Sequence, residues 1–250
     1  MSVVIINGNR YEIDGILFDK DGTIIDFTLW IRWAETFIDL IDDQATVSYN
    51  KSLLAHFLGF SYENHTWDPK GPLAIGSLQD LLTILTLGLY QQGVPWNQAY
   101  QVVNDAHQVL EETFAIHEHV KPVNGLVRFL EQAEKLAIKM GVVTSDNYGK
   151  AVQHLNALGI TNFFSAIVGH DLVYRGKPYP EMVYYACKQL DIAPEKTLII
   201  GDSNGDMILG KKSGVLASIG IVSAPNMQKV HLLDADSIIN DYQAITLKEK

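Results

Sequence analysis

Short apolar runs alternate with amphipathic segments through the second half of the chain. The runs in KMGVVTSD and TLIIGDS each end in polar residues, whereas LVRFLEQAEKLA and PEMVYYACKQLD carry apolar residues at helical spacing. Alternation of this kind is typical of a parallel sheet with helices on both of its faces. The sequence therefore predicts an α/β fold with a doubly wound, Rossmann-like parallel sheet.

The first part of the chain adds a hairpin and one more strand to this core. VVIIN, a turn at Gly8 and Asn9, and RYEI predict a β-hairpin that could add an edge to the sheet, and GILFD predicts a strand buried on both faces. Strand patterns are then missing from residue 27 to residue 121, where segments such as LWIRWAETFIDLI have helical spacing. We expect a core at residues 1–26 and 122–250, an all-helical insertion at 27–121, and a solvated tail at the closing LKEK.

Three predicted strands end in polar clusters, which read FDKDGT, VVTSDN and IIGDSNGD. The carboxyl ends of parallel strands meet at one edge of a sheet, where ligands bind in doubly wound folds. A fourth segment, RGKPYPE, lies between the second and third clusters in the chain. The candidate site residues from these four segments are Asp19, Asp21, Thr144, Ser145, Lys177, Asp202 and Asp206.

These residue types predict a site for a phosphoryl group. Crowded carboxylates repel one another unless a cation joins them, and Mg²⁺ prefers oxygen ligands while leaving room for a substrate phosphate. Lys177 supplies a positive charge, Thr144 supplies a hydroxyl, and the backbone N–H groups of TSDN, which include that of Ser145, suit an anion. If the backbone turns sharply at Lys20, Asp19 and Asp21 can both reach the same phosphorus atom.

The chain resembles the haloacid dehalogenase superfamily on its phosphatase side. The resemblance rests on DKDGT, Thr144, the lysine of GKPYPE and GDSNGD, in that order, and the helical insertion resembles the family's helical cap. It implies that Asp19 is a nucleophile that forms an aspartyl-phosphate and that Asp21 is the general acid and base. It further implies that Asp19, the backbone carbonyl of Asp21 and Asp202 hold Mg²⁺, that Asp206 acts directly or through water, and that Thr144 and Lys177 bind phosphoryl oxygens.

The aspartate at position 21 favours a phosphate ester as substrate. Members of the superfamily that cleave carbon–halogen or carbon–phosphorus bonds lack an acid/base aspartate two residues after the nucleophile. FDKDGT, GPLAIGS and KPVNG are also similar to phosphoglycolate phosphatase-like enzymes, which implies a small phosphorylated metabolite as substrate. Two alternatives stay open: a phosphomutase of the β-phosphoglucomutase type, which shares all four motifs, and a catalytically idle binding protein on the same scaffold.

Charge and cysteine content limit the remaining possibilities. The formal net charge is −10 and the pI is about 5.2, which argues against nucleic acid or an anionic membrane as the main partner. The one cysteine, Cys187, excludes an intrachain disulfide and fits a small core residue. The N-terminal residues lack the pattern of a signal peptide, and we expect a cytoplasmic protein whose oligomeric state the sequence leaves open.

Overall fold

The computed structural model describes residues 2–44 and 49–249, and the chain divides into two compact units. One unit comprises Met1–Phe27 and Val120–Lys250, and the other comprises Thr28–His119. The larger unit contains the predicted parallel sheet, and the smaller one consists mainly of helices.

The strands and helices follow one another as the alternating pattern predicts. The strands are β1 (Ser2–Ile6), β2 (Asn9–Ile13), β3 (Gly15–Phe18), β4 (Phe60–Ser61), β5 (Thr66–Trp67), β6 (Lys139–Val143), β7 (Ala166–Val168), β8 (Thr197–Gly201), β9 (Ala217–Ile221), β10 (Ser237–Ile239) and β11 (Ile245–Glu249). The α-helices are α1 (Thr28–Gln44), α2 (Lys51–Leu58), α3 (Pro72–Ile75), α4 (Leu78–Gln91), α5 (Trp96–Thr113), α6 (Ile116–His119), α7 (Leu126–Lys135), α8 (Tyr148–Ala157), α9 (Glu181–Leu190) and α10 (Asn204–Ser213).

Six strands form one parallel sheet in the order β10-β9-β8-β3-β6-β7, which confirms the predicted fold class. Strand β3 lies in the middle, between β8 and β6. Phe18, its last residue, is level with Ile200 in β8 and with Val142 in β6. The carboxyl ends of these three strands therefore lie side by side, and each leads into one of the polar clusters.

The two faces of the sheet are covered by different layers. Leu17 belongs to a buried cluster with residues of α9 and α10, such as Met182 and Leu209. Its neighbour Phe18 packs against the rings of Phe129 and Tyr242. Successive side chains of a strand point to opposite faces, so β3 needs apolar residues at every position, as GILF provides.

Cys187 is a buried residue of α9, as its helical pattern predicts. Its Sγ lies 3.8 Å from the hydroxyl of Thr197 at the start of β8. Burial raises the pKa of the thiol, so the side chain stays protonated and packs as a small core residue.

The terminal segments form a second sheet of their own, in the order β11-β1-β2, with antiparallel pairing. The predicted hairpin is confirmed, although its turn lies at Asn7 and Gly8, which both have positive φ. The prediction that the hairpin could extend the large sheet is wrong. Lys248 and Glu249 of the closing LKEK are exposed, as a solvated segment is, but they belong to β11 instead of a free tail, and Lys250 lies outside the described residues. Ile245 pairs with Ile6, and the polar residues that follow continue the ladder along β1.

In the smaller unit, α5 packs against α1 and α4, and α2 packs against α4. The expected all-helical insertion also contains one short antiparallel pair, β4 with β5. The apolar segment LLTILTLGLY lies in α4, which has 14 residues. Within the described part of the chain, no helix combines the length and the apolar character that crossing a membrane requires.

Candidate active site

The chain reverses direction directly after β3, and the reversal places Asp19 at the centre of the sheet edge. The backbone N–H of Asp19 donates to the carbonyl of Ile200 in the neighbouring strand at 2.8 Å. The N–H groups of Ile24 and Ile25 both donate to the carbonyl of Lys20, at 2.8 and 2.9 Å, and close the turn. Asp19 is therefore the last residue held by the parallel sheet before the loop begins.

Gly22 allows this turn to pass close to the carboxylate of Asp202. Its φ is +73°, a left-handed conformation that side chains rarely adopt. A Cβ atom at this position would overlap the side chain of Asp202. The glycine of DKDGT thus lets the loop after β3 and the loop after β8 approach each other.

Three carboxylates converge where these loops meet. Oxygen atoms of Asp19, Asp202 and Asp206 lie within 4.8 Å of one another. Asp19 and Asp206 retain 7% and 1% of their accessible surface, and Asp202 is half-buried. We call these three residues the carboxylate cluster.

Burial and mutual repulsion make the carboxylate cluster a good fit for a cation. Burial, together with the charges of Asp206 and Asp21, raises the pKa of Asp19 to about 7, although Lys177 acts in the opposite direction. Burial and Asp19 likewise raise the pKa of Asp202 well above its ordinary value. A raised pKa means that ionisation of the carboxyl group costs free energy in this environment. A hard divalent cation, which prefers oxygen ligands, would remove that cost by binding the ionised carboxylates.

Lys177 partly compensates this negative charge. Its ammonium group donates to Asp19 and lies 2.6 Å from Oδ1 of Asp206, and 9% of its side chain is exposed. Burial lowers the pKa of Lys177, but the carboxylates of Asp19 and Asp206 outweigh that effect and the net shift is upward. The lysine is therefore a fixed positive charge shared between two of the three aspartates.

Asp206 serves both the cluster and the helix that begins beside it. Its Oδ2 accepts hydrogen bonds from the N–H and the hydroxyl of Ser203, at 3.1 and 2.6 Å, in a capping box at the start of α10. Its Oδ1 faces Lys177. The structure therefore gives Asp206 one contact in the candidate site and one at the start of a helix.

Thr144 and Ser145 follow β6, the strand next to β3. Thr144 is buried, its N–H donates to the carbonyl of Val168, and its hydroxyl accepts from the N–H of Asp146 at 3.1 Å. Ser145 is exposed, and α8 begins after Asn147, whose side chain caps it. The hydroxyl-bearing loop thus lies on the edge of the sheet that carries Asp19.

Asp21 is not a member of the carboxylate cluster. Both oxygens of its carboxylate accept hydrogen bonds from the ammonium of Lys20, at 2.6 and 2.7 Å. The charge of Asp21 still contributes to raising the pKa of Asp19. Sequence reasoning treated Lys20 only as the point where the backbone turns and assigned no role to its side chain.

Two residues from distant parts of the chain support the turn after Asp19, and sequence reasoning missed both. The hydroxyl of Ser223 donates to the carbonyl of Gly22 at 2.7 Å, and that of Tyr242 donates to the carbonyl of Thr23 at 3.1 Å. Neither contact has a local sequence signal, because the partners are 201 and 219 residues apart.

Comparison with known proteins gives consistent matches over nearly the whole chain. A family model described as haloacid dehalogenase-like hydrolase matches residues 16–219. Validoxylamine A 7'-phosphate phosphatase from Streptomyces hygroscopicus subsp. limoneus is 25% identical over 227 residues, which cover 90% of this chain and 92% of that protein. The pyrophosphatase PpaX from Halalkalibacterium halodurans is 25% identical over 236 residues, 91% of this chain and 93% of that protein.

The fold also matches a solved structure. The crystal structure of a predicted phosphoglycolate phosphatase from Haemophilus somnus has a TM-score of 0.70 at 19% identity, over 92% of this chain and 94% of that one. At this identity the likeness shows the fold alone.

Proposed function

The chain belongs to the haloacid dehalogenase-like hydrolases and is a phosphatase of that family, and from this premise we propose that it hydrolyses a small phosphorylated metabolite with Mg²⁺, through an aspartyl-phosphate on Asp19. One observation carries the proposal. Asp19, at the end of the central strand, bonds to Lys177 and lies within 4.8 Å of two further carboxylates. A nucleophile, a fixed positive charge and a set of oxygen ligands are therefore combined at one point.

In the proposed first step, the carboxylate of Asp19 attacks the phosphorus atom of the ester. The bond between this oxygen and phosphorus forms while the bond between phosphorus and the ester oxygen breaks. The proton of Asp21 goes to the leaving alkoxide, which departs as an alcohol. Lys177 keeps Asp19 oriented and offers positive charge to the phosphoryl oxygens.

In the proposed second step, Asp21 acts as a base. It takes a proton from water, whose oxygen attacks the phosphorus of the aspartyl-phosphate. The bond between phosphorus and the Asp19 oxygen breaks, so that inorganic phosphate leaves and the carboxylate of Asp19 is restored. The hydroxyl of Thr144 and the N–H of Ser145 suit the phosphoryl oxygens in both steps, because they lie in the loop that directly follows β6, the strand next to β3.

The carboxylate cluster has the donors that Mg²⁺ prefers. Asp19 and Asp202, with the backbone carbonyl of Asp21, would hold the ion, and Asp206 would bind it directly or through water. Bound there, Mg²⁺ would neutralise the crowded carboxylates and the charge that develops on the transferred phosphoryl group.

We further propose that the helical insertion at residues 27–121 acts as a cap that selects the substrate and excludes water. Validoxylamine A 7'-phosphate phosphatase, a phosphorylated carbohydrates phosphatase and the pyrophosphatase PpaX are all among the relatives. Candidate substrates are therefore sugar phosphates, 2-phosphoglycolate and pyrophosphate.

Phosphate release from a panel of these compounds tests the proposal. The wild-type protein is expected to release phosphate only with Mg²⁺, and Asp19→Asn is expected to release none. Asp191→Asn, at an exposed helix-end residue, is the matched control and is expected to keep wild-type activity. No release from any ester by a folded wild-type protein would contradict the proposal. Conversion of a hexose 1-phosphate into its 6-phosphate without net release would instead identify a mutase.

A further inference from the structure

Lys20 stands between the two aspartates of DKDGT, and its side chain has no exposed surface. Removal of an ammonium group from water costs roughly several kcal/mol unless charged and hydrogen-bonding partners replace the water. An apolar side chain could fill the same space without that cost. The buried lysine therefore requires an explanation beyond packing.

The partners of Lys20 satisfy its charge and its geometry. The ammonium lies 2.6 and 2.7 Å from the two oxygens of Asp21, 3.0 Å from Oδ2 of Asp146 and 3.0 Å from Nδ1 of His154. An ammonium can only donate, so Nδ1 of His154 accepts and the ring carries its proton on Nε2. Burial, followed by the charge of Lys20, lowers the pKa of His154 to about 4, in agreement with a neutral ring. We call these four residues the Lys20 network.

The Lys20 network joins two loops of the candidate site. Lys20 and Asp21 lie in the loop after β3, Asp146 lies between β6 and α8, and His154 lies within α8. The N–H of Asp146 also donates to the hydroxyl of Thr144. The loop with the candidate acid/base and the loop with the candidate phosphate ligand are therefore tied together through one ammonium group.

We propose that Lys20 is a positioning residue for the acid/base aspartate: it holds the carboxylate of Asp21 in place, while Asp146 and His154 hold Lys20. The inference rests on the proposed function and gives a role to the middle residue of DKDGT, to which the resemblance assigns none. A carboxylate bonded through both oxygens to a buried partner samples few orientations. More of its population is then placed to pass a proton to the ester oxygen.

The dependence of the rate on the leaving group distinguishes a positioning role of Lys20 from a purely structural one, because only the acid role of Asp21 depends on the leaving group. Loss of an alkoxide from an alkyl phosphate requires a proton from Asp21, whereas p-nitrophenolate leaves without one. The ratio kcat/KM reports the step up to formation of the aspartyl-phosphate, so it separates this step from the later attack by water. A variant with a misplaced Asp21 should lose kcat/KM for the alkyl ester and keep most of it for the aryl ester.

The experiment compares Lys20→Met with the wild type on the preferred alkyl phosphate and on p-nitrophenyl phosphate. We expect kcat/KM to fall by about tenfold or more for the alkyl ester and by less than about threefold for the aryl ester. In the Asp21→Asn background, Lys20→Met should cause no further loss of kcat/KM for the alkyl ester, because the lysine acts through the carboxylate of Asp21. Lys139→Met, which removes a lysine at the amino end of β6, is the matched control and should leave both values unchanged.

Equal losses for both esters in Lys20→Met, or a loss that multiplies with that of Asp21→Asn, would overturn the positioning role. If Lys20→Met does not fold, Asp146→Asn replaces it, since this half-buried residue also holds the ammonium. Asp146→Asn should likewise lose kcat/KM mainly for the alkyl ester, and an equal loss for both esters would count against the inference. A wild-type protein without phosphatase activity would instead overturn the proposed function and this inference together.

Discussion

The hydroxyl of Tyr242 donates a hydrogen bond of 3.1 Å to the backbone carbonyl of Thr23, which lies 219 residues earlier in the chain. Tyr242 is 2% exposed, and its ring packs against Phe18 and Phe129. A segment near the C-terminus thus supports the turn that follows the candidate nucleophile. Strand β11, which follows soon after Tyr242, pairs with β1 and holds this segment in place.

Tyr242→Phe should destabilise the protein without changing the packing of the ring. The substitution leaves the carbonyl of Thr23 without its buried donor, at an expected cost of about 1–3 kcal/mol. Urea unfolding measures the change, and Tyr184→Phe, at an exposed tyrosine, serves as the control. A change equal to that of the control would show that the hydrogen bond adds nothing to stability.

Gly22→Ala should cost more stability than its backbone conformation alone explains. A left-handed alanine costs about 1–2 kcal/mol, and the new Cβ would also overlap the carboxylate of Asp202. Gly159→Ala is the matched control, because its φ is +69° and nothing lies within 4 Å of the added atom. Thermal unfolding of both variants isolates the cost of the overlap. Equal destabilisation would mean that the loop moves away from Asp202 without resistance.

The stability of the metal-free protein should depend on the ionisation of Asp19. Burial raises its pKa from 3.8 to about 7, so between these values the folded state binds more protons than the unfolded chain. This group therefore makes the folded state less stable as the pH rises from about 4 to about 7. Asp19→Asn removes the effect, and its stability relative to the wild type should increase over that range. Denaturant unfolding in EDTA at a series of pH values measures it, and a constant difference would contradict the prediction.

Asp202→Asn should separate metal binding from folding. In EDTA the variant should be at least as stable as the wild type, because one of three crowded carboxylates is neutral. Mg²⁺ should raise the wild-type melting temperature, since a ligand at about 100 times its Kd adds about 2.7 kcal/mol. The shift should be much smaller in Asp202→Asn and unchanged in Asp191→Asn. Equal shifts in all three proteins would place Mg²⁺ elsewhere.

Prediction of the fold succeeded where the pattern is local and failed where pairing is distant. The hairpin of β1 and β2, the helix predicted from PEMVYYACKQLD and the parallel core all have short-range signals, and the structure confirms them. The C-terminal strand reads ITLKE, and it is a strand because β1 provides hydrogen-bonding partners for it. The pair of β4 and β5, two residues each, is too short to leave a pattern.

The candidate site also has one part that the sequence predicted and one part that it did not. Residues that end strands could be assigned to one edge of the sheet because parallel strands share a direction, and Asp19, Asp202 and Asp206 are together there. The contacts of Lys20 could not be foreseen, because Asp146 and His154 lie far along the chain. The one available signal was that His154 falls between Ala151 and Leu155 on the buried side of α8.

By itself the sequence determined the kinds of groups and their order: strands that end in carboxylates, a hydroxyl and a lysine between them, and a glycine where the loop must turn. These features follow from backbone conformation and from residue chemistry, which act within a few residues. The tertiary structure alone decided which of these charged groups form ion pairs with one another. Lys177 bonds to Asp19 and Asp206, and Lys20 forms an ion pair with Asp146. Hydrogen bonds and ion pairs at these distances depend on how strands and loops pack, and packing brings together residues that are far apart in the chain.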